Sequence, residues 1–184
     1  MKAPATRDAA LGLAVFALAS CGGEAANTAP PSTASSGAAA PDFTARDLDG
    51  QTFRLADHLG KEVVLLDFWS TYCEPCKAEF PHLRAMYEAD KSRGFLVVGV
   101  SMDGPESIAD VPAFAKRHHI EFPIVFDDDS RIASLYDPKK SMPLTVLIGH
   151  DGRMAVVREG YNPGDEKLLA ADVAKALDEA APAR

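Results

Sequence analysis

From Pro41 onward, apolar and polar residues fall into periods that name their elements. PDFTARDLDGQTFRL alternates on both sides of Asp49-Gly50, which predicts a β-hairpin. Glu62 to Trp69, EVVLLDFW, and the run FLVVGVSM from Phe95 are continuously apolar over the length of a strand. Such runs are expected where both faces of a strand are covered. Between them, KAEFPHLRAMYEADKSRG sets Phe80, Leu83, Met86 and Tyr87 at helical spacing and stops at Gly94. An amphipathic helix from about Glu106 to His118 follows, then FPIVF, SRIASLYD, LTVLIG and RMAVVREG. An Ala- and Leu-rich helix from about Gly164 to Ala180 ends the pattern. Strands alternating with helices, closing on a hairpin and a helix, predict an α/β sandwich with a mixed sheet. No internal repeat and no second domain signal is visible.

The first forty residues follow another pattern. Lys2 and Arg7 precede an uncharged run from Ala9 to Ala19, about half the ~20 residues that span a bilayer as a helix. Residues 1–20 are therefore expected to be an export signal. The run ends in Leu18, Ala19, Ser20 and Cys21, which resembles the lipobox of bacterial lipoproteins, where the cysteine is lipidated and becomes the first mature residue. The competing reading is a fortuitous cysteine in an ordinary signal peptide. Residues 21–40 hold small residues, Pro and a single charge, Glu24, too little apolar surface to offset the entropy of ordering. They read as a tether of about 25 Å r.m.s. reach, and residues 41–184 as the folded domain. By the same resemblance, Gly22 after the lipidated cysteine favours the outer membrane, with the inner membrane as the other possibility.

Charge narrows the partners. The chain carries 19 Lys and Arg against 27 Asp and Glu, a formal charge of −8, which argues against nucleic acid. Loss of residues 1–20 would remove Lys2, Arg7 and Asp8 and leave −9. An anionic lipid surface would repel such a chain, so membrane attachment would have to come from acyl chains.

The candidate chemistry lies in WSTYCEPCK. Cys73 and Cys76 follow a buried strand and open a helix, where partial positive charge and unpaired N–H groups stabilise a thiolate. A cysteine there can fall from about 8.5 into roughly the 3.5–7.5 range. Pro75 suits a first helical turn. The i, i+3 spacing puts both sulfurs on one face within disulfide reach, so that Cys73 attacks and Cys76 resolves. A zinc site would want four ligands, and the one adjacent pair, His118-His119, sits at a helix end. Haem attachment would want His where Lys77 stands. A purely structural disulfide is a third alternative.

The stretch from Asp67 to Lys77, DFWSTYCEPCK, with Met142-Pro143 before a later strand, resembles the thioredoxin superfamily and its TlpA/ResA-like branch of membrane-tethered thiol-disulfide oxidoreductases. The resemblance covers about residues 41–180. It implies a thioredoxin fold with a mixed central sheet flanked by helices, an N-terminal β-hairpin and a central helix-strand insert, with no cofactor. It implies Cys73 as exposed nucleophile and Cys76 as resolving thiol. Pro143 would be cis, leaving the Met142 backbone to pair with a substrate chain. Asp67 falls where thioredoxins keep a buried carboxylate under the second thiol, a proton acceptor for Cys76. Glu79 matches the acid that ResA-like chains place three residues after the second cysteine; a solvated helix residue is its rival reading. Glu74, between the cysteines, is expected to disfavour the thiolate and make the pair more reducing, with Pro75 beside it. Trp69 and Tyr72 are expected to wall the site and contact substrate; core packing is the rival reading, and for Trp69 the two are compatible.

Other patterns lead away from the site. Asp127, Asp128 and Asp129 lack the Gly and distal Glu of a calcium loop and are expected to cap a helix near Ser130. His58, His82 and His150 read as surface. The expected function is reduction of disulfides in exported proteins, such as apocytochrome c or copper-protein sites. Electrons would come from a membrane donor of the DsbD/CcdA kind, on the periplasmic side. Two alternatives stand. A thiol peroxidase would share the fold, and Ser70 occupies one position of its motif while Leu66 replaces the proline of the other. A copper-handling carrier would need no catalysis.

Overall fold

The structure is a computed structural model and describes residues 37–180. Thr44–Arg46 (β1) and Thr52–Arg54 (β2) form the expected antiparallel hairpin. Its connection is five residues long, because Asp47 Oδ1 accepts the amides of Asp49 and Gln51 and curls the loop on itself. Gly50 supplies the left-handed φ of +74° at the tip.

Val63–Trp69 (β3) leads into Glu74–Asp90 (α1), which runs through a 3-10 turn to Gly94. Gly94 stops it at φ +86°, a left-handed cap. Phe95–Ser101 (β4) follows, then Val111–Arg117 (α2), Ile124–Phe126 (β5), the single turn Ala133–Tyr136 (α3), Leu144–Ile148 (β6), Met154–Glu159 (β7) and Asp165–Ala180 (α4). Helix α2 starts later than its periodicity suggests. Pro112 sits in its first turn, where a missing N–H costs least, and Ile108–Asp110 ahead of it is a 3-10 turn. Asp127 caps α3 as expected, its two oxygens each accepting an amide, from Ile132 and Ala133, at 2.8 Å.

The sheet order is β5-β4-β3-β6-β7. Strands β3, β4, β5 and β7 run in one direction, and β6, between β3 and β7, runs against them. Every residue of β3 and β4 is buried, which explains why neither shows alternation. Val64, Leu66 and Phe68 enter a core layer with Phe43, Phe53 and Tyr136, beneath the hairpin and α3. Val63, Leu65 and Trp69 face the other layer, built with Phe80 and Leu83 of α1, Phe114 of α2 and Val173 of α4. This is the thioredoxin fold with an N-terminal hairpin, and α2, β5 and α3 fill the insert before the Met142-Pro143 bond.

The N-terminal boundary needs one correction. Residues 37–40, read as the end of a tether, belong to the fold. Gly37 N–H donates to the Met154 carbonyl at 2.8 Å, Met154 N–H to Ala38 at 2.9 Å and Ala40 N–H to Gly152 at 3.0 Å. Side chains as small as Ala let the backbone lie against the sheet edge, and backbone pairing orders a segment that composition alone marks as unstructured. The expected signal (1–20), Cys21, Gly22 and the rest of the tether up to residue 36 lie outside the described residues. Among the described residues, no helix is long and apolar enough to cross a membrane.

Candidate active site

Strand β3 ends at Trp69, and the chain needs only Ser70–Tyr72 to reach Cys73, the N-cap of α1. Cys73 has an extended backbone, φ −82° and ψ 101°, and its Sγ accepts the Cys76 N–H at 3.3 Å. The sulfur thus occupies the place that a Ser or Asp oxygen takes in an ordinary cap, at the positive end of the helix dipole. Pro75 lies in the first turn, where no amide is needed. Cys73 and Cys76 are joined as a disulfide with Cα atoms 5.3 Å apart. Cys76 is wholly enclosed, while Cys73 keeps 8% of its surface open. An incoming thiolate therefore meets Cys73 first.

The Met142-Pro143 bond is cis. The Pro143 carbonyl accepts the Gly160 N–H at 2.7 Å, which ties the loop after β7 to the loop before β6. Asp137, at the end of α3, accepts the amides of Lys139 and Ser141 and shapes the turn that delivers Met142. Burial works against its charge, but these N–H donors hold its carboxyl below the usual range. The DPKKS stretch carries an Asx-turn signal that identifies this role.

Asp67 and Glu79 both lie in the layer between the sheet and α1. Asp67 points the same way as Leu65 and Trp69, so it shares that layer with Cys76 and Phe80. Both of its oxygens are buried without a hydrogen-bond partner. Burial, and secondarily the neighbouring Glu79 charge, push its carboxyl well above the usual carboxylate range. Glu79 is 5% exposed, which removes the solvated-helix reading. Thr145, the sheet neighbour of Asp67 on β6, donates to Glu79 Oε1 at 3.3 Å. Burial lifts the Glu79 carboxyl to about 7, against the lowering effect of that hydrogen bond and with help from the Asp165 charge. Two buried acids in the layer of the thiols both hold their protons more tightly than ordinary carboxylates, Glu79 up to about 7.

The remaining candidates divide. Tyr72, next to Cys73 in the chain, is 59% exposed, and Met142 is half-buried against the layer that holds both cysteines. Trp69 is a correction: it is fully buried, edge-on to Phe80 at 4.8 Å and tilted on Phe114 at 4.9 Å. As the last residue of a strand covered on both faces it packs the core and cannot meet a substrate. Glu74 pairs with Lys77 at 2.6 Å while its side chain stays 80% exposed, so water and the ammonium both weaken its effect on the thiolate. Ser70 is buried with its hydroxyl unpartnered; it makes no contact with Cys73 of the kind a peroxidase threonine would supply.

Comparison with known proteins agrees with this geometry. The profile of the AhpC/TSA family matches residues 36–157. The thiol-disulfide oxidoreductase ResA of Bacillus subtilis (strain 168) is 40% identical over 126 residues, 68% of this chain and 68% of that protein. ResA of Geobacillus kaustophilus (strain HTA426) is 36% identical over 124 residues, 67% of this chain and 69% of its own. Among solved structures, a Chlorobium tepidum protein assigned as a thiol:disulfide interchange protein DsbE superposes with a TM-score of 0.71 at 33% identity. The match covers 78% of this chain and 98% of that one. A secreted Mycobacterium tuberculosis disulfide oxidoreductase homologous to E. coli DsbE gives a TM-score of 0.63 at 26% identity, over 72% and 95% of the two chains. With the disulfide at the mouth of α1 and these relatives together, the chain belongs to the AhpC/TSA family and, within it, to the thiol-disulfide oxidoreductases of the ResA type.

Proposed function

We propose that this oxidoreductase works as a lipid-tethered reductant of disulfides in exported proteins on the periplasmic side of a bacterial membrane. The reaction runs from the dithiol. The Cys73 thiolate attacks one sulfur of the substrate disulfide, the second substrate sulfur leaves as a thiolate, and a mixed disulfide forms. Cys76 then passes its proton to the carboxylate of the Asp67–Glu79 pair and attacks Cys73 Sγ. The first substrate sulfur leaves and takes up a proton. Two electrons have moved to the substrate, and the enzyme is left with the disulfide described above. A membrane dithiol donor of the DsbD/CcdA kind would restore the thiols.

The observation that carries this reading is the asymmetry of the pair, with Cys73 at the surface and Cys76 enclosed above two acids of raised affinity for protons. A buried resolving thiol needs a local base, and water cannot serve there. An exposed Tyr72 next to Cys73, with Met142 packed against the cysteine layer, suits an extended polypeptide more than a small peroxide. Apocytochrome c and copper-protein cysteines are the substrates in keeping with a ResA-type enzyme. The tether is argued from Cys21 and the uncharged run before it. It is in keeping with where the chain enters the fold: residues 37–40 meet Gly152–Met154, and Met154 lies opposite Ile148, which faces Val64 near the start of β3. Cys73 follows the far end of β3, so anchor and sulfur would point apart.

The test is the reduction potential of the pair, with trapping in cells. A reducing value, together with a mixed disulfide between a Cys76→Ala variant and an exported protein, is the expected result. A potential as oxidising as ~−120 mV, the DsbA value, overturns reductant duty. Labelled palmitate entering the wild type but not a Cys21→Ala variant is the result the anchor requires.

A further inference from the structure

The loop that presents Cys73 is fastened to the sheet by an acid outside the motif. Asp103, two residues beyond β4, is fully buried. Both of its oxygens accept the Thr71 N–H, at 3.1 and 3.0 Å, and the Thr71 hydroxyl donates to Oδ1. The Ser101 hydroxyl donates to Oδ2 at 2.9 Å. Directly before the clasp, Met102 N–H donates to the Trp69 carbonyl at 2.8 Å. Among the described residues, no other amide of the three-residue loop Ser70–Tyr72 makes a hydrogen bond outside the loop. Ser70 Oγ is unpartnered and Tyr72 points to solvent.

We propose that Asp103 is a positioning residue for thiol-disulfide exchange, holding Thr71 so that Cys73 Sγ stays at the helix cap. A carboxylate suits the task better than an amide would. Its four contacts are all with donors, and an Asn would turn its own N–H₂ against one of them. Burying a carboxylate without a cation is costly unless donors surround it. The cost falls on any conformation in which Thr71 leaves, so the loop has one strongly preferred place. The consequence reaches the chemistry because only Ser70, Thr71 and Tyr72 separate Trp69, which ends the strand, from Cys73. A shift of the loop moves the sulfur away from the Cys76 N–H and from the helix axis, and so lowers the stability of the thiolate.

The test uses the full chain with Thr71→Val, Thr71→Ser, Asp103→Asn and the double variant Thr71→Val/Asp103→Asn. Each is measured at a temperature where it is fully folded. Insulin disulfide reduction is expected to fall about tenfold in kcat, with KM little changed, in Thr71→Val and in Asp103→Asn. The double variant is expected to lose no more than the worse single one, because both break the same clasp. Thr71→Ser keeps the hydroxyl and should stay within twofold of wild type. In the reduced Thr71→Val protein, alkylation of Cys73 by iodoacetamide should need a higher pH. Unchanged kcat and an unchanged alkylation profile in Thr71→Val would reduce Asp103 to a fold-stabilising acid and overturn the proposal, as would losses that multiply in the double variant. Should Asp103→Asn fail to fold, the two Thr71 variants decide alone.

Discussion

Two fully buried aspartates, one within β3 and one just past the neighbouring parallel strand β4, are opposites. Asp103, just beyond the end of β4, is surrounded by donors from Thr71 and Ser101. Asp67, in the middle of β3, has none. One carboxylate is held by hydrogen bonds that would be lost if its loop moved. The other is left in an apolar layer beside a second acid, where its charge is disfavoured. Burial alone therefore does not assign a role to an acid. Its hydrogen-bond partners do, since they decide whether the group keeps a charge in place or takes up and releases a proton.

The contrast breaks most visibly when Asp103 is removed altogether. Asp103→Ala leaves the buried Ser101 Oγ and the half-buried Thr71 N–H and Thr71 Oγ1 without their acceptor. The expected loss is about 4 kcal/mol of stability, since each orphaned buried donor costs roughly 1–3 kcal/mol. Urea unfolding at pH 7 measures it. A loss under 1 kcal/mol would mean that water replaces the carboxylate.

Glu79 gives the opposite sign. Its carboxyl is raised from 4.5 to about 7, so the folded state holds a proton that the unfolded chain has released. That contribution to stability is fully present below pH 4.5 and is lost as pH rises through about 7. In the oxidised protein, where neither Cys73 nor Cys76 titrates, Glu79→Gln should remove this slope. It should leave the variant on the order of 3 kcal/mol more stable than wild type at pH 8, relative to their difference at pH 4. Parallel pH profiles of wild type and variant would show that Glu79 ionises freely.

Asp67 differs from Asp103 in chemistry more than in stability. Asp67→Asn cannot accept the Cys76 proton, and the resolving step should slow about 100-fold, as for loss of a general base. The first attack by Cys73 should be little affected. Stopped-flow reduction of a model disulfide, with the mixed disulfide followed separately, tells the steps apart. Equal slowing of both would move the fault to Cys73 and away from the buried acids.

What the sequence made legible follows the same division. The CxxC pair and the buried acid Asp67 could be read because each belongs to a local pattern, a helix start and a charge inside an apolar run; Pro143 was implied only by the family resemblance, since an X-Pro bond by itself is seldom cis. The strands β3 and β4 and the length of α1 were legible for the same reason. Trp69 was misassigned because its period is that of a strand covered on both faces, and such a run hides which side chains reach solvent. Asp103 and residues 37–40 were missed because their contacts are non-local: Thr71 is 32 residues from Asp103, and Gly37 pairs with Met154. A signal for Asp103 was present all the same. It is a polar residue at the carboxyl end of a parallel strand whose neighbour ends in the reactive loop, a location where such sheets gather their functional groups.

The smallest effect is expected at an acid beside the disulfide that water reaches. Glu74 sits between the cysteines but is mostly exposed and paired with Lys77, and a surface pair of this kind is worth ~0.2–1 kcal/mol. Glu74→Gln should therefore make the couple more oxidising by no more than about 20 mV, given that 30 mV corresponds to ~1.4 kcal/mol for two electrons. The shift should vanish in high salt, which screens exposed charges. A change of tens of millivolts that survives salt would show that the Glu74 carboxylate acts on Cys73 through a dry path. Exposed and buried acids would then have to be weighed alike around this disulfide.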